Sequence, residues 1–309
     1  MSATISPALS VVVPVYNEEG NVTPLFREIR DVMAAIGQPF EMIFVNDGST
    51  DGTVERLRAE MHGEPRLRVV DLDGNFGEAA ALCAGFRAAR GTTVITLDGD
   101  GQNDPHDIPR LLEMLQRNGY RCVSGWRRHR QEGMLLRVLP SRLANALIAA
   151  VTRIPVHDNG CGLKVYRREV IEHAALPRGM NRFMPAIFGV TANEVAEVPV
   201  NDRRREHGAS HYGISRTVVV MRDLLALRFI IANPRRAAPA ASALTIAAAL
   251  VHLYGHWRHA LLLTVPSGLV VVVAGMIWWN VRRFNRAQRD GVFRVRREYS
   301  SAAPNRGSC

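Results

Sequence analysis

The chain has 309 residues, of which 47% are hydrophobic and 22% charged, with a formal net charge of +10 at pH 7. That length holds one large domain or a domain with an appendage, and that balance excludes wholesale disorder, collagen and coiled coil. The excess charge is unevenly placed. Residues 282–309 carry eight arginines against Asp290 and Glu298 (net +6), Arg258 is the one formal charge in 237–281, and +3 is left for residues 1–236. Nucleic acid would call for a basic face on the folded domain. Charge gathered beside an apolar block points instead to a membrane-flanking segment.

Taken in chain order, the first half alternates strand and helix signals. Ser10–Val15 is an apolar run ending in a turn, and Thr23-Pro24 reads as N-cap and first helical residue. Leu25, Ile29, Val32, Met33 and Ile36 recur at helical spacing, with Gly37 as the stop. A strand at Met42–Val45, a helix at Asp51–Arg58, a strand at Leu67–Leu72 and a helix at Ala79–Ala89 follow. A strand at Thr93–Leu97 and a helix at Asp107–Leu115 complete the series. Unbroken Val/Ile/Leu strands separated by helices predict an α/β fold whose mainly parallel sheet is covered on both faces. The four cysteines are far apart with no C-x-x-C, which argues against disulfides and zinc. The apolar run at Val11–Val15 is too short for a signal peptide.

In an open sheet of this kind, ligands sit at the carboxyl ends of the strands. Those ends read Tyr16-Asn17-Glu18-Glu19, Asn46-Asp47-Gly48-Ser49, Gly74-Asn75-Phe76-Gly77 and Asp98-Gly99-Asp100-Gly101-Gln102. One Asp after a strand is most often a turn former, but four polar ends in succession predict a shared site. No Walker loop and no G-x-G-x-x-G is present, which disfavours a P-loop NTPase and a dinucleotide-binding dehydrogenase. Asp98, Asp100 and Gln102 offer oxygen ligands, which suit Mg²⁺ or Mn²⁺ bridging phosphates. An EF-hand loop starting at Asp98 fails, because Asn103 and Pro109 stand where Gly and Glu are required.

Pro14-Val15-Tyr16-Asn17-Glu18, Asn46-Asp47-Gly48-Ser49-Thr50-Asp51-Gly52, Asp98-Gly99-Asp100-Gly101-Gln102-Asn103-Asp104-Pro105, Asp158-Asn159-Gly160-Cys161-Gly162-Leu163-Lys164 and Arg205-Glu206-His207-Gly208-Ala209-Ser210 resemble the motifs of family 2 glycosyltransferases. More narrowly they resemble the polyprenol-phosphate sugar transferases, over roughly residues 9–230. The resemblance implies a GT-A fold and inverting transfer of a sugar from a UDP- or GDP-linked donor to polyprenyl (undecaprenyl) phosphate. It places Pro14, Tyr16, Glu18 and Asp47 along the nucleotide, Asp98 against the ribose or diphosphate, and Asp100 and Gln102 on Mn²⁺ or Mg²⁺. Arg205 would meet the donor phosphates, and Arg127, Arg137 and Ser141 would grip the acceptor phosphate. Arg127 and Arg128 are not separable by spacing. Asp158 either orients sugar or acceptor, or caps the Gly160–Gly162 turn. Asn46, Gly99, Gly101 and His211 depart from the family pattern, and the two glycines predict a looser metal loop.

Leu143, Ala146, Leu147, Ala150 and Val151 form an apolar helix face, either interfacial or core-facing. Runs at 238–254 and 260–281, flanked by Arg235-Arg236 and Arg282-Arg283, predict a transmembrane helical hairpin with both ends inside. The expected organisation is a cytosolic catalytic domain over 1–232, a membrane segment over 233–281 and a basic tail over 282–309. This makes the chain an enzyme of the bacterial inner membrane, acting in envelope glycan or lipid A modification, with membrane lipid as a partner, no nucleic acid, and homo-oligomerisation open. A processive polysaccharide synthase is the alternative within the class, though its Gln-x-x-Arg-Trp signature is absent. A non-enzymatic membrane scaffold with a decayed transferase fold is the alternative outside it.

Overall fold

A computed structural model describes residues 6–128, 139–204, 223–224, 227, 230, 234–258 and 261–301. The chain divides into two compact units. One comprises residues 1–149, 153–211 and 292–309, and the other 150–152 and 212–291.

The first unit is built on β1 (Leu9–Val15), α1 (Val22–Ile36), β2 (Phe40–Asn46), α2 (Thr53–Met61), β3 (Leu67–Leu72), α3 (Glu78–Ala88), β4 (Thr93–Thr96), α4 (Ile108–Arg117), β5 (Cys122–Trp126), α5 (Leu139–Thr152), β6 (Lys164–Arg167), α6 (Arg168–Ile171), α7 (Met184–Ile187) and β7 (Val195–Pro199). A last strand, β8 (Val295–Ser300), joins the same sheet, whose order is β7-β5-β6-β4-β1-β2-β3-β8. β3, β2, β1 and β4 are parallel neighbours, as the alternating pattern predicts. β6 runs antiparallel to β4 and β5, and β8 antiparallel to β3.

Every residue of β1, β2 and β3 is buried, because helices cover both faces. Val11, Val13, Met42, Phe44 and Val69 pack with Leu25, Phe26, Ile29 and Met33 of α1 and Leu111 of α4. Residues one step out of phase face α3. A Cβ at Gly85 of α3 would lie 2.2 Å from Val12 Cγ1, so the helix rides directly on the sheet there. α1 begins at Val22 after Asn21, two residues earlier than Thr23 as N-cap suggests, and Gly37 closes it in the left-handed region with φ +74°.

The segment expected to be a basic tail is in part structural. β8 pairs Asp71 with Arg297 and Arg68 with Ser300. The buried Arg68 guanidinium bonds Glu41 and Glu298 at 2.6 Å each, and Arg296 lies 3.5 Å from Asp73. Alternating arginines thus meet acidic partners on and beside the edge of β3, so the charge that reads as solvated is partly neutralised within the sheet.

The second unit holds α8 (Pro234–Trp257) and α9 (Leu261–Asp290), which pack against each other. The His252 ring lies on Gly268, and its Nδ1 is 2.9 Å from the Thr264 carbonyl. Among the described residues, Thr264–Asp290 is long and apolar enough to cross a membrane.

Candidate active site

Parallel pairing brings the carboxyl ends of β1, β2, β3 and β4 to one edge of the sheet. Hydrogen bonds then tie the turns after β1, β2 and β3 to one another. After β1, Asn17 takes φ +55°, a conformation its short polar side chain tolerates. Its amide donates to Ser49 Oγ at 2.9 Å, and its Oδ1 accepts from the Thr50 amide at 2.8 Å. The Glu18 amide donates to Thr53 Oγ1 at 2.9 Å, while the Glu18 carboxylate accepts from Asn21 Nδ2 at 2.5 Å. Tyr16 is exposed and Pro14 buried.

After β2, both oxygens of Asp47 are committed. They accept from the Phe76 and Gly77 amides at 2.7 and 2.8 Å, which caps the approach to α3. Burial raises the Asp47 carboxyl, and those two amides pull it back only in part. Gly48 has φ +74°, and a Cβ there would sit 2.5 Å from the Gly74 carbonyl carbon, so the turns after β2 and β3 touch through their backbones. Asp47 therefore acts at this edge by shaping a loop.

Asn46 replaces the family's usual first aspartate for a visible reason. Its Nδ2 donates to Asp71 Oδ1 at 2.7 Å and its Oδ1 accepts from the Ser49 amide at 3.1 Å, with both side chains buried. An aspartate there would face Asp71 as a like charge. Asn46→Asp is expected to cost about 1–3 kcal/mol at neutral pH. The shared proton raises the folded-state pKa, so stability is retained at low pH and lost as pH rises. Urea unfolding at pH 5 and pH 8 checks this sign.

After β4, Asp98 lies beneath the turn that carries Asp158-Asn159-Gly160-Cys161-Gly162. A Cβ at Gly162 would fall 2.2 Å from the Asp98 carboxyl carbon, so only glycine lets the turn close over that carboxylate. Thr96 Oγ1 donates to the Gly162 carbonyl at 2.7 Å. Burial, then the Glu78 and Asp100 carboxylates, push Asp98 up to about 8 against the pull of Arg127 and Lys164. Asp100 Oδ1 accepts from the Gln102 amide at 3.1 Å, and Asn103 Oδ1 accepts from the Asp98 amide at 3.2 Å. The glycines do not make this loop looser throughout. A Cβ at Gly99 would lie 2.7 Å from the Pro14 carbonyl oxygen, and Gly101 is needed for its φ of +75°. Gly162→Ala is expected to displace Asp98 and lower turnover about 10²-fold, with the thermal midpoint as the control for folding.

Arg127 and Asp158 form a bidentate ion pair, Nε to Oδ2 at 2.8 Å and Nη2 to Oδ1 at 3.1 Å, with side chains only 11% and 3% exposed. Burial works to lower the Arg127 guanidinium, but the Asp158 charge outweighs it and holds the arginine well above its ordinary value. Asp158 thus does more than cap the turn, since its carboxylate fixes Arg127. Glu197 of β7 supports it, accepting from the His157 and Asp158 amides at 2.8 and 3.1 Å. Lys164, the one lysine, is buried and donates to the Asn159 carbonyl at 3.3 Å and to that of Cys161. Sequence reasoning gave Lys164 no role beyond its place in the motif, and it left Glu78, Glu197 and Trp126 out altogether. Asp158-x₅-Lys164 was the one available signal.

Arg205 and Arg137 lie outside the described residues, and Ser141 is placed only as a position in α5. Glu28, Asp104 and His106 bring ligand atoms within 4.8 Å of one another. Arg203 already occupies that cluster, bonding Glu28 at 2.7 Å and Asp104 at 2.5 Å. The cluster is an ion-pair network in which two carboxylates share one arginine.

Residues 10–174 match the glycosyl transferase family 2 model. The chain is 44% identical over 224 residues to a dodecaprenyl-phosphate galacturonate synthase of Rhizobium johnstonii, covering 72% of this chain and 66% of that protein. It is 39% identical over 219 residues to an undecaprenyl-phosphate 4-deoxy-4-formamido-L-arabinose transferase of Pseudomonas aeruginosa, covering 70% and 64%. The match thus spans about two thirds of the length of these relatives. Among solved structures, glucosyl-3-phosphoglycerate synthase of Mycobacterium tuberculosis aligns with a TM-score of 0.57 at 22% identity, over 72% of this chain and 80% of that one. A structure of the same enzyme carries Mn²⁺, UDP and glucosyl-3-phosphoglycerate. The fold is thus the GT-A type the motifs imply, and the chain belongs to glycosyl transferase family 2.

Proposed function

We propose that this protein is an inverting glycosyltransferase that moves a sugar from a UDP- or GDP-linked donor to polyprenyl phosphate, for modification of the cell envelope. The observation that carries this reading is the convergence of Asp98, Asp100 and Glu78 at the sheet edge, with Asp98 pushed up to about 8 by burial and its acidic neighbours. Crowded carboxylates and an amide form a hard oxygen donor set, short of positive charge, that fits a divalent cation. Asp100 and Gln102 would hold Mn²⁺ or Mg²⁺. Such an ion, when bound, supplies Lewis-acid stabilisation to a departing diphosphate.

The remaining steps fall to the chain's own side chains. Tyr16 is exposed to stack on a base, and the Asp47-capped turn shapes the ribose end. An acceptor phosphate monoester has a second pKa of about 6, so it arrives largely as a dianion. It needs positioning by cations more than it needs a general base. One of its oxygens forms a bond to the anomeric carbon as the bond to the donor diphosphate breaks, and the electron pair leaves on the diphosphate. Arg205 would face that growing charge.

We place the reaction at the cytosolic face of a bacterial inner membrane. The second unit exposes Leu250, Leu253, Trp257, Val265, Leu269 and Trp279, a surface suited to lipid. Residues 1–232 and β8 form the catalytic domain in this reading, and α8 and α9 form the membrane hairpin. Calorimetric titration of the full chain with UDP and GDP, with Mn²⁺ and after EDTA, tests the donor side. Metal-dependent binding of one nucleotide is expected, and binding of neither contradicts the reading.

A further inference from the structure

Helix α9 changes character along its length while keeping one buried side. From Leu261 to Val281 it carries no formal charge. At 1.5 Å per residue that run is roughly 31 Å long, the thickness of a bilayer's hydrocarbon core. The helix does not stop there. It continues to Asp290, and Val281, Phe284 and Ala287 stay buried through these last turns.

Three arginines take the other side of those turns. Arg282, Arg286 and Arg289 are exposed, and their i, i+4, i+7 spacing sets them in one stripe of the helix. Trp278, one turn earlier, starts the same stripe, and the Arg282 guanidinium carbon lies 4.6 Å from the centroid of its ring. A guanidinium resting on an aromatic face keeps the edge of its fork free. Arg283 behaves differently, because its Nη2 lies 3.4 Å from the buried Asp223 carboxylate. The exposed three meet no carboxylate among the described residues, and Asp290, the one acid of α9, forms no ion pair with them. A cation in the last turn offsets the negative end of the helix dipole, and Arg289 is so placed. Arg282 stands two turns earlier, where that field has faded, so the dipole does not account for the stripe.

The stripe does fit a layer of phosphates. It begins where the apolar run ends and covers about 10 Å along the axis from Arg282 to Arg289. The headgroup layer on each side of a bilayer is about 5–8 Å deep, and tryptophan favours that level. We propose that Trp278, Arg282, Arg286 and Arg289 form a binding face for the phosphodiester headgroups of anionic glycerophospholipids. Arginine forks match phosphate oxygens, and a zwitterionic headgroup sets its own cation against them. The proposal rests on α9 spanning a bilayer, as in the function proposed above.

The test titrates the full chain in detergent with phosphatidylglycerol and with phosphatidylcholine, and reads lipid adducts by native mass spectrometry. The wild type is expected to favour phosphatidylglycerol more than about tenfold, with the preference shrinking as ammonium acetate rises. Arg282→Gln, Arg286→Gln and Arg289→Gln should each lower that preference about three- to fivefold, and the triple variant should bind the two lipids alike. Arg282→Lys keeps the charge and should retain most of the preference, whereas Trp278→Leu should lower it. Arg117→Gln, an exposed arginine of α4, should change nothing, and the thermal midpoints of the arginine variants should match the wild type. Equal binding of the two lipids by the wild type overturns the proposal, and so does a preference that survives in the triple variant. Undecaprenyl phosphate bound more tightly than phosphatidylglycerol, and lost in the triple variant, also overturns it, because the face would then serve the substrate lipid. The membrane placement fails separately, if alkaline extraction releases the chain into the soluble fraction. Cosedimentation of that chain with phosphatidylglycerol vesicles then decides the headgroup face, with loss in the triple variant supporting it and no cosedimentation overturning it.

Discussion

Asp100→Asn is expected to lower sugar transfer by about 10²–10³-fold, the range seen when a preorganised electrostatic contact to the transition state is lost, while the protein stays folded. Asp100 is half-buried, and its Oδ1 accepts from the Gln102 amide at 3.1 Å. The amide oxygen of an asparagine accepts that same bond, so the loop keeps its shape. What disappears is a negative charge beside Asp98 in the donor set proposed for Mn²⁺ or Mg²⁺. Two readouts separate the roles. The metal concentration for half-maximal activity should rise steeply, and the thermal midpoint without metal should hold or increase slightly as carboxylate repulsion is relieved. A variant that turns over normally would remove Asp100 from the chemistry. It would also return the decayed-transferase scaffold to consideration.

Asp158→Ala is expected to act through stability instead. The Arg127 guanidinium is held at 2.8 and 3.1 Å by this carboxylate in a pair almost closed to solvent. Removing one partner leaves the other charged and desolvated, at a cost of about 3–5 kcal/mol. Arg127→Ala should cost a similar amount, because Asp158 is the more deeply buried of the two. Replacing both at once with apolar residues of similar volume, Arg127→Met with Asp158→Leu, should recover much of the loss. Urea denaturation of the wild type, Arg127→Met, Asp158→Leu and the double variant forms the double-mutant cycle. Additive losses would mean that the pair is not coupled, and the Asp158 turn would then stand on Lys164, Thr96 and Glu197.

The first half of the fold was legible because β1 to β4 are buried on both faces. Such strands show as unbroken runs such as Val11-Val12-Val13, and their helices carry plain signals such as Gly37. The later strands do not announce themselves in this way. β5 contains Gly125, where a Cβ would lie 2.9 Å from Cys161 Sγ, so its glycine looks like a loop residue until the neighbouring turn is placed. β8 reads Val-Arg-Arg-Glu-Tyr-Ser and resembles a solvated tail. Its arginines become strand residues only against Asp71 and Asp73, more than 200 residues away in the chain.

The site divides along the same line. Asp98, Asp100 and Gln102 lie next to one another, so local spacing exposes them. Asp158 and Arg127 are 31 residues apart, and Glu197 is 39 from the Asp158 amide it supports. Pairings of that range follow from the β5–β6 and β5–β7 ladders and are written in no local pattern. Asn46 is similar: as a departure from the motif it has no evident cause until Asp71 stands 2.7 Å away.

The most direct measurement of the central claim is sugar transfer itself. The full chain, purified in detergent with Mn²⁺ and undecaprenyl phosphate, is offered labelled UDP- and GDP-sugars in turn, including a UDP-uronic acid. Label from one donor passing into the organic phase, and ceasing on addition of EDTA, is the predicted result. Nucleotide binding without label in the organic phase from any donor, under conditions where a relative of the same family transfers its own sugar, would contradict it.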